Sequence, residues 1–317
     1  MSADGHVPGA IFSLLHRAFG DPEMEAIFSE DATVGSWLRT EAALARAQAS
    51  EGELDDARAE TIADACRLDN IDLPALWTDT ANVGYPILPL IRQITDALPE
   101  DARGSLHYGA TTQDIMDTGL SLQLAAAIAR LAALTDELGD ALAAQAEAHA
   151  DTVMAGRTHG QHALPVTFGF KAAAWLDEML RAQERMREGR KRVLVGEFGG
   201  AVGTLASLGR DGLRVQAGLM KRLGLGVAPI PVKTAGDRLA EFVVHLGMLS
   251  ATLGKIAQNI YTLQRTDIDE VTESTEGKVG SSAMPHKQNP VASGSVVYLG
   301  RLMRSNVLPA LEYIHAE

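Results

Sequence analysis

The chain contains a single cysteine, Cys66, so no intrachain disulfide can form and no cysteine-based metal site can be assembled. A reducing, cytoplasmic setting is the expectation. Aromatic residues are scarce at 5% while alanine is abundant, a balance that suits close helix–helix packing more than stacked sheets, because small side chains let helix axes approach. Basic residues are outnumbered, Lys+Arg 28 against Asp+Glu 41, which leaves a formal net charge of −13. No general positive field exists to hold a polyanion, so nucleic acid is not an expected partner. An anionic small molecule would need a local cluster of cations and backbone N–H groups. Uninterrupted apolar runs of the roughly eighteen residues a membrane span needs are also missing, and Met1–Ala10 has no basic segment followed by an apolar one. Neither membrane insertion nor export is expected. What is present is globular composition, 46% hydrophobic and 22% charged, over a length that can bury a large core.

Apolar residues recur at helical spacing along most of the chain. Val34, Trp37, Leu38, Ala42, Ala45 and Ala49 define one amphipathic helix from Asp31 to Glu51. Between Leu54 and Pro99 the prolines at 74, 86, 89 and 99 cut the pattern into short helical pieces. From Asp114, a candidate N-cap, to about Ala150 runs a Leu-rich pattern with almost no breaker, a helix roughly 50 Å long. Thr167 to about Val193, Asp237 to about Thr266 and Ser293 to the end read the same way, with Met179, Met186, Met248 and the Leu face of 120–142 as core. Helices of this length are rarely stable alone, so the fold class read here is all-α, a long-helix bundle over residues 111–317 behind a smaller helical domain over residues 1–110. The last helix is still in register where the sequence stops, which gives the expectation of a longer parent protein. The LGLG at 223–226 lacks the strand and third glycine of a dinucleotide loop, and no cofactor is expected.

Three interruptions carry the polar chemistry: Leu106–Thr118, Ala155–Phe170 and Thr272–Pro290. Each is read as lying at the end of a long helix, where unpaired backbone N–H groups receive an anion. The third contains Gly280-Ser281-Ser282-Ala283-Met284-Pro285-His286-Lys287-Gln288-Asn289-Pro290, a glycine-hinged loop that delivers a serine and then a lysine and an asparagine suited to grip a carboxylate. His159 and His162 form an H-x-x-H pair in a glycine-containing turn with no acidic third ligand nearby, so no metal site is expected. Arg238, at the start of a long helix, is a candidate anion contact, although arginines so placed are most often solvated or ion-paired.

The eleven-residue loop resembles the G-S-S-x-M-P-x-K-x-N-P signature of the fumarase/aspartase superfamily. His107, Thr111, Thr112, Gln113 and Asp114 resemble the first signature block of that superfamily, and Gly156-Arg157-Thr158-His159 the second, in the expected order. The resemblance covers the N-terminal domain and most of the central one; the family's C-terminal domain has no counterpart in this chain. It implies a homotetramer with active sites shared among subunits and a small di- or tricarboxylate substrate. It also implies a reversible β-elimination that passes through an aci-carboxylate. By residue-for-residue carry-over, Ser281 is the base and His159 the acid or relay toward the leaving group. Lys287, Asn289, Thr111 and Thr112 are carboxylate donors, and His107 and Gln113 contact substrate.

Two features divide the branches. The run Phe19–Ser29, the segment Glu41–Ala47 and the block His107–Thr118 resemble 3-carboxy-cis,cis-muconate cycloisomerases, and Gly294 stands where fumarases and adenylosuccinate lyases usually carry the glutamate that relays to the histidine. Arg157-Thr158-His159-Gly160-Gln161 instead resembles adenylosuccinate lyase, or a lyase of another substituted aspartate or succinate. A catalytically silent structural member of the superfamily is the non-enzyme alternative; the joint presence of Ser281, Lys287, Asn289 and His159 argues against it.

Overall fold

A computed structural model describes residues 14–231, 234–274, 281, 283–284 and 286–315. Gly280, Ser282 and Pro285 of the signature loop lie outside the described residues. The chain packs as two compact units, the first formed by residues up to Arg130 with Gly196–Val227, the second by Leu131–Val195 and the residues from Ala228 onward.

In the first unit the central helix is Glu30–Ser50, started by Ser29, whose Oγ accepts the Ala32 N–H at 3.2 Å. It buries Val34, Trp37, Leu38, Ala42 and Ala45, the stripe expected from the spacing, and packs against Asp56–Ala65 and Gly212–Leu223. The proline-rich stretch forms short helices for a physical reason. Pro74 sits in the first turn of Leu73–Val83, where its missing N–H costs nothing, and Asp72 caps that turn by accepting the Ala75 N–H at 3.0 Å. Pro86 likewise precedes Ile87–Ala97, whose Ile87, Leu90 and Ile94 are almost wholly buried.

Thr112–Ala148 is a 37-residue helix that contributes to both units. Asp114 is its third residue rather than its N-cap: the carboxylate reaches back to accept the Thr111 N–H at 3.0 Å, the reciprocal half of a capping box. Gly119 lies against the Glu30–Ser50 helix so closely that a Cβ there would stand 2.6 Å from both Ser36 Oγ and Trp37 Cδ1.

The second unit contains the bundle: the distal part of Thr112–Ala148, then Phe168–Val193, Asp237–Leu263 and Val291–Ser305. Trp175, Met179, Met186, Leu142, Leu249 and Ile256 form its core. Met248, expected in that core, is 45% exposed; one residue before buried Leu249, it is turned about 100° away from the apolar stripe. The helix expected from Ser293 to the end stops at Ser305 and restarts as Val307–Glu312, because Pro309 has no N–H to offer the Ser305 carbonyl.

The all-α architecture carries strands that the sequence reading did not foresee, the two-residue Val195–Gly196 and Gly226–Val227 and, longer, an antiparallel hairpin of Val153–Thr158 with Gln161–Thr167, paired from Val153↔Thr167 to Thr158↔Gln161. Its two-residue turn is His159-Gly160, with φ of 53° and 76°, the pair of positive values that matches strand twist in a tight hairpin. A bulge between Ala155 and Arg157 brings Gly156 under the opposite strand, where a Cβ would be 2.4 Å from the Leu164 carbonyl oxygen.

Thr112–Ala148 and Asp237–Leu263 each contain an 18-residue window of mean hydropathy 1.3, long and apolar enough to cross a membrane by length and composition. That revises the expectation drawn from uninterrupted apolar runs, since scattered Gly, Ser and Thr lower hydropathy little. Less than half of each window, 44% and 39%, is buried inside the chain.

Candidate active site

The first block is a turn from Leu106 to Thr111 that leads into the Thr112–Ala148 helix. Asp114, 1% exposed, holds it: Oδ2 accepts the N–H groups of Thr111 and Gly200 at 3.0 and 2.9 Å, and Oδ1 accepts that of Gly199 at 3.1 Å. Gln48 Nε2 donates to the Tyr108 carbonyl at 2.7 Å, and the Tyr108 hydroxyl donates to the Ser207 carbonyl at 2.9 Å. Thr111, Thr112 and Gln113 are half-buried, and the Gln113 amide donates to Asp117 at 2.6 Å along the helix. His107 adopts φ 59° and places Nδ1 2.5 Å from Glu41 Oε1. Burial pulls the imidazole's pKa down, but the charge and hydrogen bond of Glu41, helped by Asp114, outweigh it and hold His107 above its ordinary value.

The second block is the hairpin, not a helix end. His159 sits at its exposed apex and makes no hydrogen bond among the described residues. Two residues before that apex, Arg157 grips Glu270 with two hydrogen bonds of 2.7 and 2.8 Å and also reaches the Ala155 carbonyl at 3.3 Å. Hydrogen bonding from Arg157 holds the Glu270 carboxyl below its usual value, against the opposing effect of burial. Lys171, over the Trp175 ring at 5.9 Å, is lowered by burial and by the nearby charges of Arg157 and Lys255.

In the third block, Ser281 Oγ accepts two backbone N–H groups, from Ala283 at 3.3 Å and Met284 at 3.1 Å. Lys287 is exposed and Asn289 half-buried. Two residues that the sequence reading missed pin the loop's exit. Gln264 bridges it, accepting the Glu273 N–H at 2.8 Å and donating to the Gln288 carbonyl at 3.3 Å. Glu273 then accepts the Ala292 and Ser293 N–H groups at 3.2 and 2.6 Å at the start of Val291–Ser305. The helix N-terminus of the third block is therefore capped by Glu273, a correction to the reading that its N–H groups await an anion, whereas Asp114 takes the N–H of Thr111, just before the helix of the first block.

Arg238 lies half-buried in the first turn of Asp237–Leu263, and Gly294 lies in the first turn of Val291–Ser305. Within the second unit no hydrogen bond or ion pair among the described residues joins His159 to Ser281 or Lys287. No group of three or more His, Cys, Asp or Glu side chains among the described residues is placed to hold a metal ion.

Comparison with known proteins gives three findings. The profile of a family described as lyase matches residues 19–301. A 3-carboxy-cis,cis-muconate cycloisomerase of Pseudomonas aeruginosa is 44% identical over 86% of this chain and 61% of its own length, and an N-acetyl-S-(2-succino)cysteine lyase of Dickeya dadantii is 40% identical over 89% of this chain and 62% of its own. The crystal structure of a 3-carboxy-cis,cis-muconate lactonizing enzyme from Pseudomonas putida superposes with a TM-score of 0.90 at 38% identity, covering 96% of this chain and 69% of that one. The chain spans about three fifths of the length of these two curated relatives.

Proposed function

Because this chain belongs to the lyase family of the fumarase/aspartase superfamily, we propose that the protein it forms catalyses reversible β-elimination or addition next to a carboxylate, with Ser281 as the base. The observation that carries this reading is the pair of backbone N–H groups on Ser281 Oγ. A serine removes a proton from carbon only if its alkoxide is stabilised, and the Ala283 and Met284 N–H groups are aimed at the oxygen where that charge develops. The proton passes from the carbon next to the substrate carboxylate to Oγ. The resulting aci-carboxylate takes hydrogen bonds from Lys287 and Asn289 of one subunit and from Thr111 and Thr112 of a neighbouring one, each such donor contributing roughly 10²–10³ in rate. The bond β to the carboxylate then breaks as the electron pair returns.

The substrate favoured is 3-carboxy-cis,cis-muconate, closed to a lactone, or opened from it in reverse. Gly294 in place of the relay glutamate supports it, since lactone chemistry has no amine or thiol leaving group to protonate. A second reading, release of fumarate from an N- or S-substituted succinate, is favoured by His159. An exposed hairpin apex suits a residue that completes the site of a neighbouring subunit, so a homotetramer with shared sites belongs to both readings.

A proton NMR time course on the longest natural form of the protein tests this, with 3-carboxy-cis,cis-muconate, adenylosuccinate and N-acetyl-S-(2-succino)cysteine in separate tubes. Lactone formation is expected. Fumarate release in either of the other tubes would select the second reading, and silence in all three would contradict both.

A further inference from the structure

The central helix of the first unit, Glu30–Ser50, carries a carboxylate in a place that packing alone does not explain. Glu41 follows Leu38 and precedes Ala42–Ala45 on the buried side of the helix, and its side chain is 0% exposed. One oxygen, Oε1, lies 2.5 Å from His107 Nδ1; the other, Oε2, is buried with no hydrogen-bond partner. An apolar residue would fill this position without leaving a carboxylate oxygen unsatisfied, so retaining a carboxylate here needs a reason beyond the core.

The surroundings supply one. Of the two arginines on the same helix, Arg39 is exposed and Arg46 is turned to Glu60, which it grips at 2.6 and 2.9 Å. On the other side stands Cys66, a neutral thiol pushed well up by burial and then by the charge of Glu41 itself. His107 is the described group that answers Glu41, and it is presented to it by an unfavourable backbone conformation: φ of 59°, in the left-handed region, held by the Gln48 hydrogen bond to the next carbonyl. With Nδ1 engaged, Nε2 is the nitrogen left over. It makes no hydrogen bond among the described residues, and the ring keeps 21% of its surface exposed.

We propose that Glu41 is a positioning residue that fixes the orientation and proton inventory of His107, so that Nε2–H is presented as a charge-assisted donor to a substrate carboxylate at the first block. This rests on the reading that the block binds a carboxylate substrate. The physics is that of a carboxylate-oriented histidine: the buried anion secures the Nδ1 proton, which leaves Nε2 to bear the second one. The charged groups that face the imidazole from the packed elements are Glu41 on Glu30–Ser50 and Asp114 on Thr112–Ala148, both favouring the imidazolium.

The test is side-chain ¹⁵N–¹H NMR of the 317-residue chain, wild type beside Glu41→Gln, with His107→Gln to assign the signal and fumarate as the probe. Wild type is expected to show a slowly exchanging, far-downfield Nδ1 proton on His107 and an imidazolium that persists above the ordinary histidine value of about 6.5. Glu41→Gln should move that midpoint down and weaken the fumarate response of His107 by about tenfold to a hundredfold, the cost of losing a charge-assisted hydrogen bond. A wild-type His107 without a protonated Nδ1, or a midpoint and fumarate response unchanged by Glu41→Gln, would overturn the proposal. If Glu41→Gln does not fold, the wild-type Nδ1 signal and midpoint decide alone. None of these readouts depends on turnover, so a protein that converts no substrate while His107 behaves as described refutes the reaction and leaves the Glu41–His107 pairing standing.

Discussion

Asp114→Asn removes one oxygen and one charge from the group that organises the first block, and its cost can be worked from the geometry. The wild-type carboxylate accepts three backbone N–H groups at 2.9–3.1 Å while 1% exposed. An asparagine keeps a single acceptor oxygen, so its amide –NH₂ must face either Gly199 or the Thr111–Gly200 pair, donor against donor. At least one charge-assisted bond worth about 1.5–3 kcal/mol is lost, and any that survive fall to neutral bonds worth about 0.5–1.5 kcal/mol. The sum is about 3–5 kcal/mol, a large share of the roughly 5–15 kcal/mol that holds a typical protein folded. At ~2–4 °C per kcal/mol for a chain of this size, the melting temperature should fall by ~10 °C. Thermal unfolding followed by circular dichroism at one fixed protein concentration measures it, and hydrogen exchange should show faster exchange at the amides of Thr111, Gly199 and Gly200 together. A loss under about 1 kcal/mol, or faster exchange at Thr111 alone, would refute the reasoning that one carboxylate ties these two segments.

Three further outcomes follow from the hairpin and the loop exit. Gly156→Ala drives a Cβ into the Leu164 carbonyl oxygen, so it should loosen the hairpin by about 1–3 kcal/mol; proteolysis between 153 and 167 is the readout. Because the folded-state pKa of Glu270 is depressed, the stabilisation from its pair with Arg157 is present above the ordinary carboxylate value of about 4.3 and is lost as pH falls through the depressed one. Protection of the Val153–Thr158 amides, taken relative to the unstructured-chain exchange rate at each pH, should therefore fall on acidification through that window, and Glu270→Gln should abolish the dependence. Glu273→Gln should weaken the cap of Val291–Ser305 by about 1 kcal/mol, seen as faster exchange at Ala292 and Ser293.

The helices were legible because burial on one face leaves a periodic record: Val34, Trp37, Leu38 and Ala42 spell out Glu30–Ser50, and Met179 and Met186 the inner face of Phe168–Val193. Periodicity failed where no face is consistently buried. Gln161–Pro165 are all exposed, so the hairpin offered no alternation, and its signal lay instead in His159-Gly160, a dipeptide able to take two positive φ values. Asp114 was found in the right place with the wrong task, since an N-cap and a residue three positions later that reaches back to the cap leave the same local composition. Glu41 was hidden for a different reason. Its partner is 66 positions away, and a carboxylate inside an Ala-rich stripe reads as one face residue among others until the fold brings His107 to it. Gln264 and Glu273 escaped notice in the same way: both act on backbone groups, which sequence does not distinguish.

The most direct test of Ser281 as the base compares Ser281→Ala with wild type on whichever of the three substrates turns over, reading kcat, ligand affinity and melting temperature together. Expected is a loss in kcat of at least about 10²–10⁴, the contribution of a general base, with affinity and melting temperature unchanged. Turnover within tenfold of wild type would contradict the assignment of the proton transfer to Ser281.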